Sequence, residues 1–363
     1  MLTLSNAGME RYLTEVFGKR AVVLRMTPLG EVAEENSVKM YGYGRPVRVD
    51  FQIADEPPRS AVFHTSAPNA FGHEHMADRA RDLLWAHQAF NHLPRHARSL
   101  DVGGLRPSGE IVPLGNVEEF CQLTSYVPGD SYHLYLERIS REGSLSDLDL
   151  ARADALCKYL AEIHARRGTQ ESLYVRRVRE LIGHGECIMG LADSYPADCL
   201  ISPVMLQEIE VLCVNWRWKL KPLTHRLCQV HGDFHPWNIL FEEGTQLHVL
   251  DRSRGEWGDS ADDVTSLTAN YLFFSLRQHG ALEGPFATLF QRFWDQYLER
   301  TGDREMLQVV APYFTFRCLV MASPVWYPSL PDAVRRKLIQ FAMSLLNADR
   351  FDPKEVNAYC AGA

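Results

Sequence analysis

Residues 228–253, CQVHGDFHPWNILFEEGTQLHVLDRS, crowd three His, two Asp and one Asn between short apolar runs. "NILF" and "LHVL" have strand length and "EEGTQ" has turn chemistry, which predicts a hairpin entered through a polar loop. A hairpin returns the chain to the end from which it started. Asp233 and Asn238, in the loop and at the entrance to the first strand, thus share an end with Asp251, which follows the second. Hard divalent cations such as magnesium take oxygen ligands, usually a few from protein completed by phosphate and water, so Asn238 and Asp251 form a credible metal pair. Asp233 can orient or deprotonate an incoming hydroxyl. The set points to phosphoryl transfer from a nucleotide, although an isolated Asp in a loop is more often a cap or turn former.

The rest of the chain divides by periodicity. "VRVDFQI" alternates from Val47 to Ile53, "ADEPPRS" turns, and "AVFHT" resumes an extended run. Met76, Ala80, Leu83, Leu84 and Phe90 predict a helix over about residues 74–92, and two further apolar runs flank Gly115 and Asn116. Past Pro128 and Gly129 the apolar period shifts toward 3.6. Ser146 is placed to cap a helix whose face carries Leu156, Leu160 and Ile163, with Gly168 beyond its end. Further helices are expected near 203–219, 262–278, 285–300, 305–321 and 332–347. The class is α+β, with a small sheet lobe over 1–126 and a larger, mainly helical lobe over 127–363.

Composition narrows the function. At 363 residues and 46% hydrophobic content, a substantial core is within reach. The net charge of -8, with no long basic run, gives a nucleic-acid partner little support. The eight cysteines include no CxxC, against a zinc ribbon or disulfide scaffold. The N-terminus lacks a signal-peptide pattern and no apolar stretch reaches membrane-spanning length, so the expectation is a cytoplasmic protein with no membrane partner. A dinuclear phosphoesterase site using Asp233 and His235 would need further His and Asp clusters that the other histidines do not form. No G-x-S-x-G elbow occurs for a serine hydrolase.

"HGDFHPWNILF" resembles the catalytic loop of the aminoglycoside phosphotransferase and choline kinase-like enzymes, and "VLDRS" their metal-binding segment. "GDSADDVTSL" is similar to the start of their following helix and "YLAEIHA" to the helix beneath the loop. The resemblance implies a bilobal protein-kinase-like fold that uses ATP and Mg2+. It further implies transfer of the γ-phosphoryl group to a hydroxyl of a small hydroxylated metabolite or antibiotic-like acceptor. By the same resemblance Asp233 is the catalytic Asp that receives or orients the acceptor proton, Asn238 and Asp251 are the metal ligands, and His231 holds the metal-binding segment. Asp263 braces the loop and caps the helix, while Asp259 forms a turn or more. "QLTSYVPG" is similar to the adenine-binding hinge, so Leu123, Thr124, Ser125, Tyr126 and Val127 pass the base and Gly129 permits the turn beyond it.

The small lobe departs from the family pattern. Where the family carries a phosphate-binding lysine, this chain offers His64, or Lys39 from a neighbouring strand, with Glu74 or Asp82 as the helix acid. "YGYGRP" is no G-x-G-x-x-G loop; Gly42 and Gly44 bend a strand over phosphates or make a plain turn. The alternative is therefore a catalytically degraded nucleotide-binding or regulatory protein of the same fold. For the acceptor, Trp237, Trp257, Tyr271, Trp294, Trp326 and Tyr327 are candidate lining residues, equally readable as core. Glu256 and Asp259 would favour a cation. Aminoglycosides, choline, ethanolamine, sugars and homoserine all stand open.

Overall fold

The computed structural model describes residues 5–28, 46–69, 72–91, 97–117, 119, 124, 126–252, 254 and 256–362, the side chains of 88–90 apart. The chain divides into two compact units, Met1–Thr124 and Ser125–Ala363.

In the first unit, strands Ala21–Pro28, Val47–Ile53 and Arg59–Phe63 form an antiparallel sheet in sequence order. Val49, Phe51 and Ile53 alternate inward on the middle strand and meet Met9, Tyr12 and Leu13 of the helix Asn6–Phe17. That helix starts where the Ser5 hydroxyl accepts from the Gly8 amide and ends at Gly18, whose φ of 64° suits a residue without Cβ. Neither it nor its following strand was expected from the sequence, because its apolar positions are too few for a clear period. The expected helix is present as Met76–Asn91, and a hairpin pairs Gly103–Leu105 with Ile111–Pro113.

The second unit is built around the helix Ser260–His279, in which every residue from Ser260 to Leu276 is buried. A helix buried all round sits at a centre. Helices Asp147–His164, Gly284–Thr301, Ala311–Ala322 and Asp332–Leu346 surround it and share one hydrophobic core. Ser146 caps the first of these in a reciprocal capping box with Asp149. The single helix expected over 305–321 is broken into Arg304–Gln308 and Ala311–Ala322, with Pro312 in the first turn of the second. Helices Tyr132–Glu142, Glu171–Gly183 and Ile188–Ser194 lie outside the sequence expectations.

Two nested strand pairs hold the polar stretch. Outside, Leu227–Gln229 pairs antiparallel with Trp257–Asp259; inside, Ile239–Phe241 pairs with Leu247–Val249. Asp130–Ser131 adds a third strand to the inner pair. Gly129 precedes it at φ 125°, where a Cβ would stand 2.7 Å from the Phe241 carbonyl oxygen. Only glycine fits so close to that backbone.

Candidate active site

The loop from Val230 to Asn238 joins the outer strand pair to the inner one, and residues 250–256 make the return. Phe234 anchors the outgoing loop: it is fully buried, stacked on Tyr159 at 5.8 Å and edge-on to His231 at 5.6 Å. Burying such a ring contributes about 2–3 kcal/mol. Its neighbours Asp233 and His235 remain partly exposed.

Asp263, near the start of the central helix, fixes the loop backbone. Its two oxygens accept the amides of His231 and Gly232, each at 2.7 Å, and Oδ2 also faces His164 Nε2 at 3.0 Å. Burial alone would raise this carboxyl's pKa, but His164, His231 and the amide bond hold it below the usual carboxylate range. The helix cap belongs to Asp259 instead, whose side chain accepts from the Ala261 amide. This corrects the expectation that Asp263 does both, and the reason is position: Asp263 lies within the helix and Asp259 just before it.

His231 ties the two loops together. Its Nδ1 accepts from the Asp233 amide at 3.3 Å, so Nε2 carries the proton it donates to the Leu250 carbonyl at 2.8 Å. Leu250 in turn donates its amide to the Asn238 carbonyl at 2.9 Å. The chain beyond is fastened by Arg252, whose Nε and Nη2 both donate to the Val230 carbonyl, at 2.9 and 2.7 Å. Between these fastenings Asp251 stands exposed at φ 53°, a left-handed conformation that costs a non-glycine residue on the order of 1 kcal/mol. Asn238 donates its amide Nδ2 to the Asp233 carbonyl at 3.1 Å, leaving Oδ1 as an open acceptor. Asn238 and Asp251 thus offer two hard oxygens from adjoining segments, a donor set that suits magnesium. Among the described residues no group of three or more His, Cys, Asp or Glu is placed to hold a metal, so phosphate and water would have to supply its other ligands. A cavity of about 310 Å³ lies against the return loop, lined in part by Tyr159, His231, Val249, Asp251 and Arg252.

Asp233 has its own partner. Arg317 Nη1 donates to its Oδ1 at 2.5 Å, while Oδ2 lies 3.6 Å from His235 Nε2. Burial pushes the pKa of Asp233 up, but Arg317, then His235 and Arg254, outweigh it and hold the carboxyl far below its ordinary value.

The model of the phosphotransferase enzyme family, APH, matches residues 110–306, a little over half of the chain. The chain belongs to this family. Among solved structures it is similar to a glucosamine kinase in complex with glucosamine, ADP and inorganic phosphate (18% identity, TM-score 0.35). That alignment covers 65% of this chain and 60%, less than two thirds, of the other. A choline kinase from Cryptosporidium parvum Iowa II (9% identity, 89% and 85% covered, TM-score 0.32) is also similar. So is a thermostable mutant of the aminoglycoside phosphotransferase APH(4)-Ia (15% identity, 97% of each chain, TM-score 0.35). No curated protein matches the chain. The small antiparallel sheets and mostly helical body give this family member the α+β class expected of it.

The remaining candidate residues of this family member fall elsewhere. His64 is exposed just past the strand Arg59–Phe63 of the first unit, where Asp82 pairs with His73 at 3.1 Å. Lys39, Leu123 and Ser125 lie outside the described residues; Thr124 and Tyr126 are exposed and Val127 is half-buried. Tyr271 and Trp294 are fully buried core, whereas Trp237 and Trp326 reach the surface. The partner of Asp233 and the acid behind that partner went unread in the sequence. Arg317 also donates from Nη2 to Asp262 Oδ1 at 2.9 Å, and Asp262 accepts from Arg177 at 3.1 Å. The available sign was Arg317 itself, the one charge in the helix APYFTFRCLVMA.

Proposed function

We propose that the protein is an ATP-dependent phosphotransferase that moves the γ-phosphoryl group of ATP to a hydroxyl of a small molecule. The observation that carries this reading is the joining of the Asp233 loop to the Asp251 loop through His231, with Asn238 between them. Asp233 Oδ1 is engaged by Arg317, so Oδ2 is the oxygen that receives the acceptor hydroxyl. Held far below its ordinary pKa, Asp233 is a weak base, and its main contribution is to align the hydroxyl and take the proton late. Asn238 and Asp251 would hold magnesium, which when bound neutralises charge on the nucleotide phosphates. His231 and Arg252 keep those two ligands in register. Thr124, Tyr126 and Val127, with Leu123 and Ser125, are proposed to pass the adenine, and His64 or Lys39 to meet its phosphates.

The two acids have separable duties. Asp251→Asn is expected to weaken calorimetric binding of ATP in the presence of magnesium at least tenfold, while Asp233→Asn changes it by less than threefold. Equal binding by wild type and the Asp251 variant across a magnesium titration would remove Asp251 from the metal site.

A further inference from the structure

The surroundings of Asp233 are richer in arginine than in free acid. The guanidinium carbons of Arg317 and Arg254 lie 4.6 and 4.7 Å from the centroid of the same buried ring, Phe316. Arg317 commits its charge to Asp233 and Asp262. Arg254 does not. Its carbonyl is fixed by Arg177 Nη1 at 2.6 Å, its side chain is half-buried, and its Nη1 approaches the Cys187 sulfur at 3.9 Å. Among the described residues no carboxylate pairs with it at salt-bridge distance. Arg254 acts on Asp233 at longer range only, so the edge of its half-buried guanidinium is left for an anion that a ligand can supply.

Of the two acids that would draw a cationic acceptor, Asp259 is already taken. Asp259 is fully buried, accepting from Arg226 Nε and Nη2 at 2.8 and 2.9 Å and from the Tyr174 hydroxyl at 2.9 Å. Glu256 is exposed, and its carbonyl accepts from Arg252.

We infer that Arg254 binds an oxyanion carried by the acceptor, so that the acceptor class is alcohols bearing a carboxylate or phosphate and not amines. The inference rests on the reading of Asp233 as the residue that receives the hydroxyl. In the transfer, the hydroxyl oxygen forms a bond to the γ-phosphorus and the bond to the β,γ-bridging oxygen breaks. That electron pair leaves with ADP, and the hydroxyl proton is released. The planar fork of guanidinium matches a carboxylate or phosphate edge, and with Arg254 engaged the hydroxyl is presented beside Asp233.

The test is acceptor-dependent ADP formation, with mass detection of the phosphorylated product, over matched primary alcohols carrying a carboxylate, a phosphate, a neutral group or a quaternary ammonium. Turnover is expected with an anionic arm, and the carboxylate and phosphate arms decide which oxyanion is bound. Arg254→Gln should raise the KM for that acceptor about 10- to 100-fold with the KM for ATP within twofold, and Arg254→Lys should recover part of the loss. Turnover confined to cationic or neutral alcohols overturns the inference and leaves the phosphotransferase reading standing. An unchanged acceptor KM in Arg254→Gln, or a raised KM for ATP instead, overturns it as well. Absence of turnover with every class, in protein that binds ATP, overturns both.

Discussion

The two oxygens of Asp233 are not equivalent, because Arg317 occupies Oδ1 at 2.5 Å while Oδ2 has only the looser approach of His235, at 3.6 Å. Arg317 is itself buried between two acids, Asp233 and Asp262, and burial and partners act on it in opposite senses, with the acids keeping it charged. Removing such an arginine strands buried carboxylates, a change that costs about 3–5 kcal/mol. Arg317→Met is therefore predicted to lower Tm as well as activity. Arg317→Lys keeps the charge but loses the fork, so it should remain folded. Its kcat should fall at least tenfold with the KM for ATP nearly unchanged, a split that steady-state kinetics reads directly. A lysine variant with wild-type kcat would show that the fork does not position Asp233.

At the level of elements, the loop of residues 230–238 is shaped by a helix it does not belong to. Asp263 of the helix Ser260–His279 accepts two loop amides and faces His164 of the helix Asp147–His164. Its carboxyl is held below the usual range, so the stabilisation it gives is fully present above an ordinary carboxylate pKa of about 4 and is lost only as pH falls through the lower folded value. Asp263→Ala should destabilise the protein by about 3–5 kcal/mol, lowering Tm by on the order of 10 °C at neutral pH. The deficit should shrink when melts are repeated below pH 4. A Tm within 2 °C of wild type at neutral pH would contradict the bracing role, on the scale of about 2–4 °C per kcal/mol for a unit of this size.

Across the whole molecule, what the sequence disclosed depended on how local each determinant was. The inner hairpin was legible because strand, turn and strand are contiguous, and the helices Asp147–His164, Gly284–Thr301 and Asp332–Leu346 because each carries its own period and ends. The pairing of Leu227–Gln229 with Trp257–Asp259 was not, since neither three-residue strand has a pattern until the other is beside it. Arg317 escaped for the same reason: 84 positions separate it from Asp233, and only the packing of the helix Ala311–Ala322 brings them together. Asp259 was misjudged because its burial and its partner Arg226 are tertiary facts. Asp233, Asn238 and Asp251 lie in one contiguous stretch and could be singled out together; the ion pairs around Asp233, which come from distant helices, could not. Whether Asp233 aligns the acceptor hydroxyl is decided by acceptor-dependent ADP formation in Asp233→Asn, measured beside circular dichroism and ATP titration. The expected result is a kcat loss on the order of 100-fold or more with fold and ATP affinity retained, because the amide lacks the anionic oxygen. Turnover within a few-fold of wild type, in equally folded protein, would contradict it.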